Sequence, residues 1–149
     1  MTESRAALAA LEARLGHVFA DRQLLLEALT HRSWVNEHPG ARDNEALAFV
    51  GDAVLGLVVA EHLASAEPAA AVGVLTPRRA DLVSGASLAR WAERLALGEC
   101  LRLGRGEAQT GGHAKESVLA TALEAVLAAV YREAGLPGAA RVIAALAMW

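Results

Sequence analysis

Asn44-Glu45-Ala46-Leu47-Ala48-Phe49-Val50-Gly51-Asp52-Ala53-Val54-Leu55-Gly56-Leu57-Val58-Val59-Ala60 is the stretch on which the reading of this chain turns. It predicts a long helix from about Asp43 to Ala64. Glu45 and Asp52 stand two turns apart and share one face of it. That face runs on into apolar residues with no other charge. A carboxylate pair at the rim of a buried helix is costly unless something cationic compensates it. A bound divalent metal is one such compensation. Yet the position between the acids on the same face is Ala48. The helix suggests a metal site and withholds a ligand from it.

The rest of the chain supplies a helical setting. Its 149 residues fit one domain with a real core. Hydrophobic residues make up 54% and aromatics only 4%, and the apolar mass is Ala, Leu and Val, which favours packed helices over sheet. The net charge of −3 argues against a strongly basic nucleic-acid module, although a local basic patch remains compatible with it. Lys115 is the only Lys, and the other cations are Arg. Arg suits bidentate phosphate contacts; a GC-rich genome explains the same bias together with the Ala excess. The single cysteine, Cys100, allows no intramolecular disulfide and reads as a small packed residue. The N-terminus lacks a signal-peptide core, and no uncharged apolar run approaches membrane-spanning length. The expectation is a cytoplasmic, reduced protein with no membrane partner.

Local signals give about seven helices and no strand. Thr2 or Ser4 caps a first helix ending at Gly16. Asp21 caps a second, through about Arg32. Residues 36–43 and 65–75 read as loops. Thr76-Pro77 reads as a helix start, and Ser84-Gly85 as a break before a helix with Leu88, Trp91 and Leu95 on one side. Residues 98–113 are Gly-rich and irregular. A second long helix runs from about Ala114 to Ala134 and ends at Gly135, and Pro137 opens a last one. The fold class is a compact all-α domain.

Three features bear on chemistry. Glu124 sits among apolar and small residues on the second long helix. It is either paired with an Arg in the core or faces a cavity. If the two long helices pack side by side, Asp52 and Glu124 converge, as acids do in hard-metal sites of helical bundles. Second, Gly104-Arg105-Gly106-Glu107 with Gly111-Gly112 and Lys115 suits an anion, although Gly-rich loops between helices are common. Third, His31 in Thr30-His31-Arg32-Ser33-Trp34 has no second His or Cys at zinc spacing and reads as a structural hydrogen-bonder.

Taken together, these segments resemble the ribonuclease III family. The resemblance begins with Ala28-Leu29-Thr30-His31-Arg32-Ser33. It continues through Asn44-Glu45 and Phe49-x-Gly51-Asp52, which is similar to the family's signature helix. It includes Leu75-Thr76, Arg79-Ala80-x-Leu82-Val83-Ser84 and Leu97-Gly98-Glu99-x-Leu101-Arg102-Leu103-Gly104. It ends in Gly111-Gly112, Lys115 to Ala120 and Leu123-Glu124-Ala125. The matches run in order from about residue 10, so residues 1–149 read as one such domain. The resemblance implies an all-helical endonuclease domain that acts on double-stranded RNA as a homodimer. It implies acids around Mg²⁺, with Mn²⁺ as a substitute. By position, Asp52 and Glu124 are the metal-binding and catalytic acids, with Glu45 an auxiliary one. Phe49 matches the aromatic that inserts into the partner subunit, unless it is an internal core residue. Arg79, Arg105 and Lys115 are the candidate RNA contacts.

This chain departs from the family pattern at the metal. The usual acids at the positions of Ala48 and Thr121 are absent, and a further acid falls at about Val72. Two carboxylates remain where four ligands are usual. Weak or lost activity is therefore expected, with Mg²⁺ held weakly or not at all. Competing roles are a non-catalytic RNA-binding or ribonucleoprotein scaffold and a dimer partner of an active paralogue. The sequence stops at Trp149, where the nuclease domain would end, whereas the common bacterial form continues into a double-stranded-RNA-binding domain. The expectation is a truncated chain or one lacking that domain.

Overall fold

The protein's computed structural model describes the backbone of residues 2–149 and the side chains of residues 4–149. Among these are eight α-helices and two 3-10 turns. The helices are α1 (Thr2–Leu15), α2 (Arg22–Ala28), α3 (Arg32–Glu37), α4 (Glu45–Ala66), α5 (Val72–Leu82), α6 (Gly85–Arg94), α7 (Arg105–Gln109) and α8 (Glu116–Ala147). The turns span Leu97–Cys100 and Gly112–Ala114. The only strand-like feature among the described residues is a parallel bridge between Thr30 and Arg102. The all-α expectation holds.

α8 is the centre of the domain. From Val118 to Val130 every residue is buried except Thr121 and Glu124. A helix apolar all round must be covered on all sides. α4 covers it most extensively and α6 next. α4 contributes Leu47, Val54, Leu55, Val58 and Val59, and α6 contributes Leu88, Trp91 and Ala92. By length and composition α4 could cross a membrane. Its burial against α8 accounts for that apolar character as a core helix. Gly135 breaks α8 with φ +67°, the conformation glycine adopts most cheaply. Pro137 follows, and the chain continues as a helix to Ala147. The break expected at Gly135 is therefore present, although the two halves form one element.

Several boundaries differ from the sequence reading. The second helix stops at Ala28 rather than near Arg32. Arg102 N donates to Leu29 O at 2.8 Å and His31 N to Arg102 O at 3.0 Å, so a distant segment pulls the chain out of the helix. His31 then starts α3: its Nδ1 accepts from Ser33 N at 3.1 Å. Its reading as a structural hydrogen-bonder holds. Asp21 caps α2 as expected, accepting from Gln23 N and Leu24 N. Ser4 lies inside α1, and the alternative cap, Thr2, falls outside the described side chains. α5 begins at Val72, four residues before Thr76, so Pro77 sits inside a helix instead of opening one. Ala71 O accepts from Val74 N and Leu75 N and starts that turn without a side-chain cap.

Candidate active site

Gly51 brings the two long helices together. A Cβ built there would lie 1.7 Å from Glu124 O, so the backbones of α4 and α8 touch at this point and only hydrogen fits. An isolated glycine in an apolar helix signals such an approach. The next residue on α4 is Asp52, and the residue touched on α8 is Glu124. The close approach places the two acids side by side.

The Glu124 carboxyl hydrogen-bonds Asp52. Burial, then that hydrogen bond, then the Asp52 charge push Glu124 up to about 7. The Arg pairing considered from sequence is not made among the described residues. Two adjacent carboxylates without a cation share a proton near neutrality.

Thr121 and Glu124 lie three residues apart on one face of α8, at the only gap in its buried stretch. Ala48, one turn before Asp52 on α4, is 8% exposed and contributes only a methyl. Glu45 is exposed, with Arg32 Nη1 at 3.8 Å from its carboxylate. Glu45 and Thr121 both line a cavity of about 210 Å³ with His31, Arg32, Asn44, Ser117 and Val118. Asn44, which sequence reasoning did not single out, is 3% exposed. Its Nδ2 donates to Ala28 O at 3.1 Å, and its Oδ1 has no partner. The sequence signal was its place just ahead of an apolar helix, which marked it as a cap and nothing more.

The acid pair fits one hydrated hard cation. Mg²⁺ uses one or two carboxylates and keeps several waters, and a proton shared between two uncompensated acids is what such an ion displaces. A fuller ligand set is not present. No group of three or more His, Cys, Asp or Glu able to hold a metal occurs among the described residues. Val72, at the position of a further family acid, is an exposed apolar residue.

Phe49 is 82% exposed, so it is not an internal core residue. With Ala53 and the half-exposed Leu57 it forms an apolar strip on the outer side of α4. The nearby loop holds its own anion. Glu37 accepts from Arg105 N at 3.0 Å, and Gly104 N donates to Ser33 Oγ at 2.8 Å, so those amides are occupied. Lys115 Nζ lies 2.9 Å from Glu107 and holds that carboxyl below its usual range. Arg79 and the Arg105 side chain are exposed.

Residues 21–148 match the family described as Ribonuclease-III-like. The chain belongs to this family. Ribonuclease 3 of Geobacter metallireducens is 50% identical over 136 residues, covering 89% of this chain and 55% of that protein. Ribonuclease 3 of Symbiobacterium thermophilum is 49% identical over 129 residues, 87% of this chain and 54% of that one. Ribonuclease 3 of Caulobacter vibrioides is 46% identical over 144 residues, 97% and 62%. The chain thus spans a little over half the length of the curated relatives it matches. Two solved structures of the nuclease domain of ribonuclease III from Campylobacter jejuni superpose with TM-score 0.87 at 40% identity. One covers 92% of this chain and 93% of its own, and is described as flexible in a region involved in dimer formation. The fold here is therefore the ribonuclease III nuclease-domain fold.

Glu124 also makes stability depend on pH. Its folded value, about 7, lies above the model value of 4.5. The contribution is fully present below the unfolded value and is lost as pH rises through about 7. Melting temperature is expected to fall between pH 5 and 8 in EDTA, and Glu124→Gln is expected to flatten that fall. Identical pH profiles for the two proteins would remove the shared proton.

Proposed function

We propose that this ribonuclease III-family domain binds double-stranded RNA as a homodimer and cleaves it weakly or not at all. The observation that carries the reading is the convergence of Asp52 and Glu124 with only Ala48 and Thr121 at the other two ligand positions. Asp52 and Glu124 would hold a divalent ion, with Thr121 offering a neutral oxygen nearby. Such an ion, when bound, lowers the pKa of an attacking water and offsets charge on the phosphate. This chain's own contribution is to orient that ion through the Gly51 contact, and the missing carboxylates weaken its grip. Glu45 stays auxiliary. Arg79, Arg105 and Lys115 are the proposed phosphate contacts. They are few, so affinity is expected to be modest and to fall with salt. The location we propose is the cytoplasm.

The test is a cleavage assay on an RNA duplex in Mg²⁺ and in Mn²⁺, with a binding assay in EDTA. Binding with little or no cleavage is expected. Brisk Mg²⁺-dependent cleavage abolished by Asp52→Asn would overturn the weakened-site reading. Absence of binding at low salt would overturn the RNA reading.

The homodimer rests on Phe49 and its strip. A two-fold dimer makes the same patch meet itself across the axis, and a largely exposed Phe beside exposed Leu57, Val72 and Val74 is the apolar surface for it. Light scattering at micromolar concentration is expected to give twice the 15.5 kDa chain mass. Phe49→Asp is expected to give a single chain. A monomeric parent would rule the dimer out.

A further inference from the structure

Resting on the RNA-binding reading, we infer that the cavity between the starts of α4 and α8 is a ribose subsite, in which Asn44 Oδ1 and its neighbours accept a hydrogen bond from a 2′-hydroxyl. Asn44 is almost wholly buried and lines this cavity, and its amide nitrogen is committed to Ala28 O. Its oxygen has no partner. A buried acceptor without a donor is destabilising and calls for one. The other lining groups narrow the ligand. Glu45 is a second acceptor, Ser117 and Thr121 bring hydroxyls that donate or accept, and Arg32 brings a cation. Acceptors beside a cation suit a neutral hydroxyl next to an anion. A ribose 2′-hydroxyl beside its phosphate has that composition, and a deoxyribose lacks the donor. The starts of α4 and α8, both long helices, add positive potential on the phosphate side. A simple cation fits worse, because Arg32 stands beside the one carboxylate in the cavity.

The reading assigns the choice of RNA over other A-form duplexes to this cavity. A site built to meet a hydroxyl discriminates against an analogue that lacks it.

The experiment measures binding at low salt in EDTA of one short duplex sequence made as RNA, as 2′-fluoro RNA and as DNA. The 2′-fluoro duplex keeps A-form geometry without the hydroxyl donor, so it separates the donor from helix shape. RNA is expected to bind about tenfold more tightly than 2′-fluoro RNA, one lost hydrogen bond's worth. Asn44→Ala is expected to abolish that ratio. Because Asn44 also ties α4 to α2, a second variant, Thr121→Leu, fills the cavity from its rim and is expected to do the same. Equal binding of RNA and 2′-fluoro RNA by the parent protein overturns the inference and leaves the RNA-binding reading standing. A ratio that survives in folded Thr121→Leu also overturns it. No binding of any duplex overturns the RNA-binding reading beneath it.

Discussion

Ala48→Glu combined with Thr121→Asp is expected to raise Mg²⁺-dependent cleavage of an RNA duplex by on the order of 100-fold or more. Both changes add charge beside an acid pair that already lacks a cation. In EDTA the double variant should therefore be less stable than the parent, because Ala48 is buried and a Glu there carries an uncompensated charge. Mg²⁺ should reverse that loss, since an ion that binds only the folded state stabilises it by mass action. The two readouts check each other. Cleavage reports whether the restored acids orient a productive ion, and melting temperature with and without Mg²⁺ reports whether they hold one. Each single restoration should do less than half of the pair's effect on a logarithmic scale, because groups sharing one ion act together. Unchanged cleavage with a clear Mg²⁺ shift in melting would place the defect in the surrounding support of the ligands. No Mg²⁺ shift at all would show that the site cannot take an ion even with four acids.

The acid pair was legible in the sequence because helix periodicity puts distant residues on one face. Glu45 and Asp52 on α4, and the lone Glu124 in an apolar helix, needed only the assumption that two long apolar helices pack together. Family resemblance then pointed to the gaps at Ala48 and Thr121. What the sequence could not supply was contact between distant segments. The bridge from Thr30 to Arg102 ends α2 early, and no local pattern at residues 28–32 announces it. The Gly-rich loop read as a possible anion cradle, yet its amides are taken by Glu37 and Ser33, which lie about seventy residues earlier. Thr76-Pro77 failed for a different reason. It is a strong local start signal, but α5 is packed against α4 and begins at Ala71. Packing decided where the helix began, at the cost of a hydrogen bond that Pro77 cannot donate. Asn44 was hidden because its polarity matched an ordinary cap. Only burial and an unpaired oxygen set it apart.

Gly51→Ala is expected to cost about 3 kcal/mol of stability, at the upper end for one added methyl in a packed core. The new Cβ would stand 1.7 Å from Glu124 O and 2.5 Å from Glu124 C. Both partners are backbone on long helices, so no side chain can rotate away. Relief requires α4 and α8 to separate, and these two helices share the most extensive interface in the domain. For a domain of this size the loss corresponds to a fall of about 10 °C in melting temperature, read by circular dichroism. The same separation moves Asp52 away from Glu124. The shared proton should weaken, so the pH dependence of melting that Glu124 confers should shrink in the variant that remains folded. Gly56 is the control. It sits on the same helix, a Cβ there meets nothing within 4 Å, and Gly56→Ala should be neutral or slightly stabilising because alanine is the better helix former. If the two alanine variants melt together, the helices do not meet at Gly51, and the juxtaposition of Asp52 with Glu124 loses its structural cause.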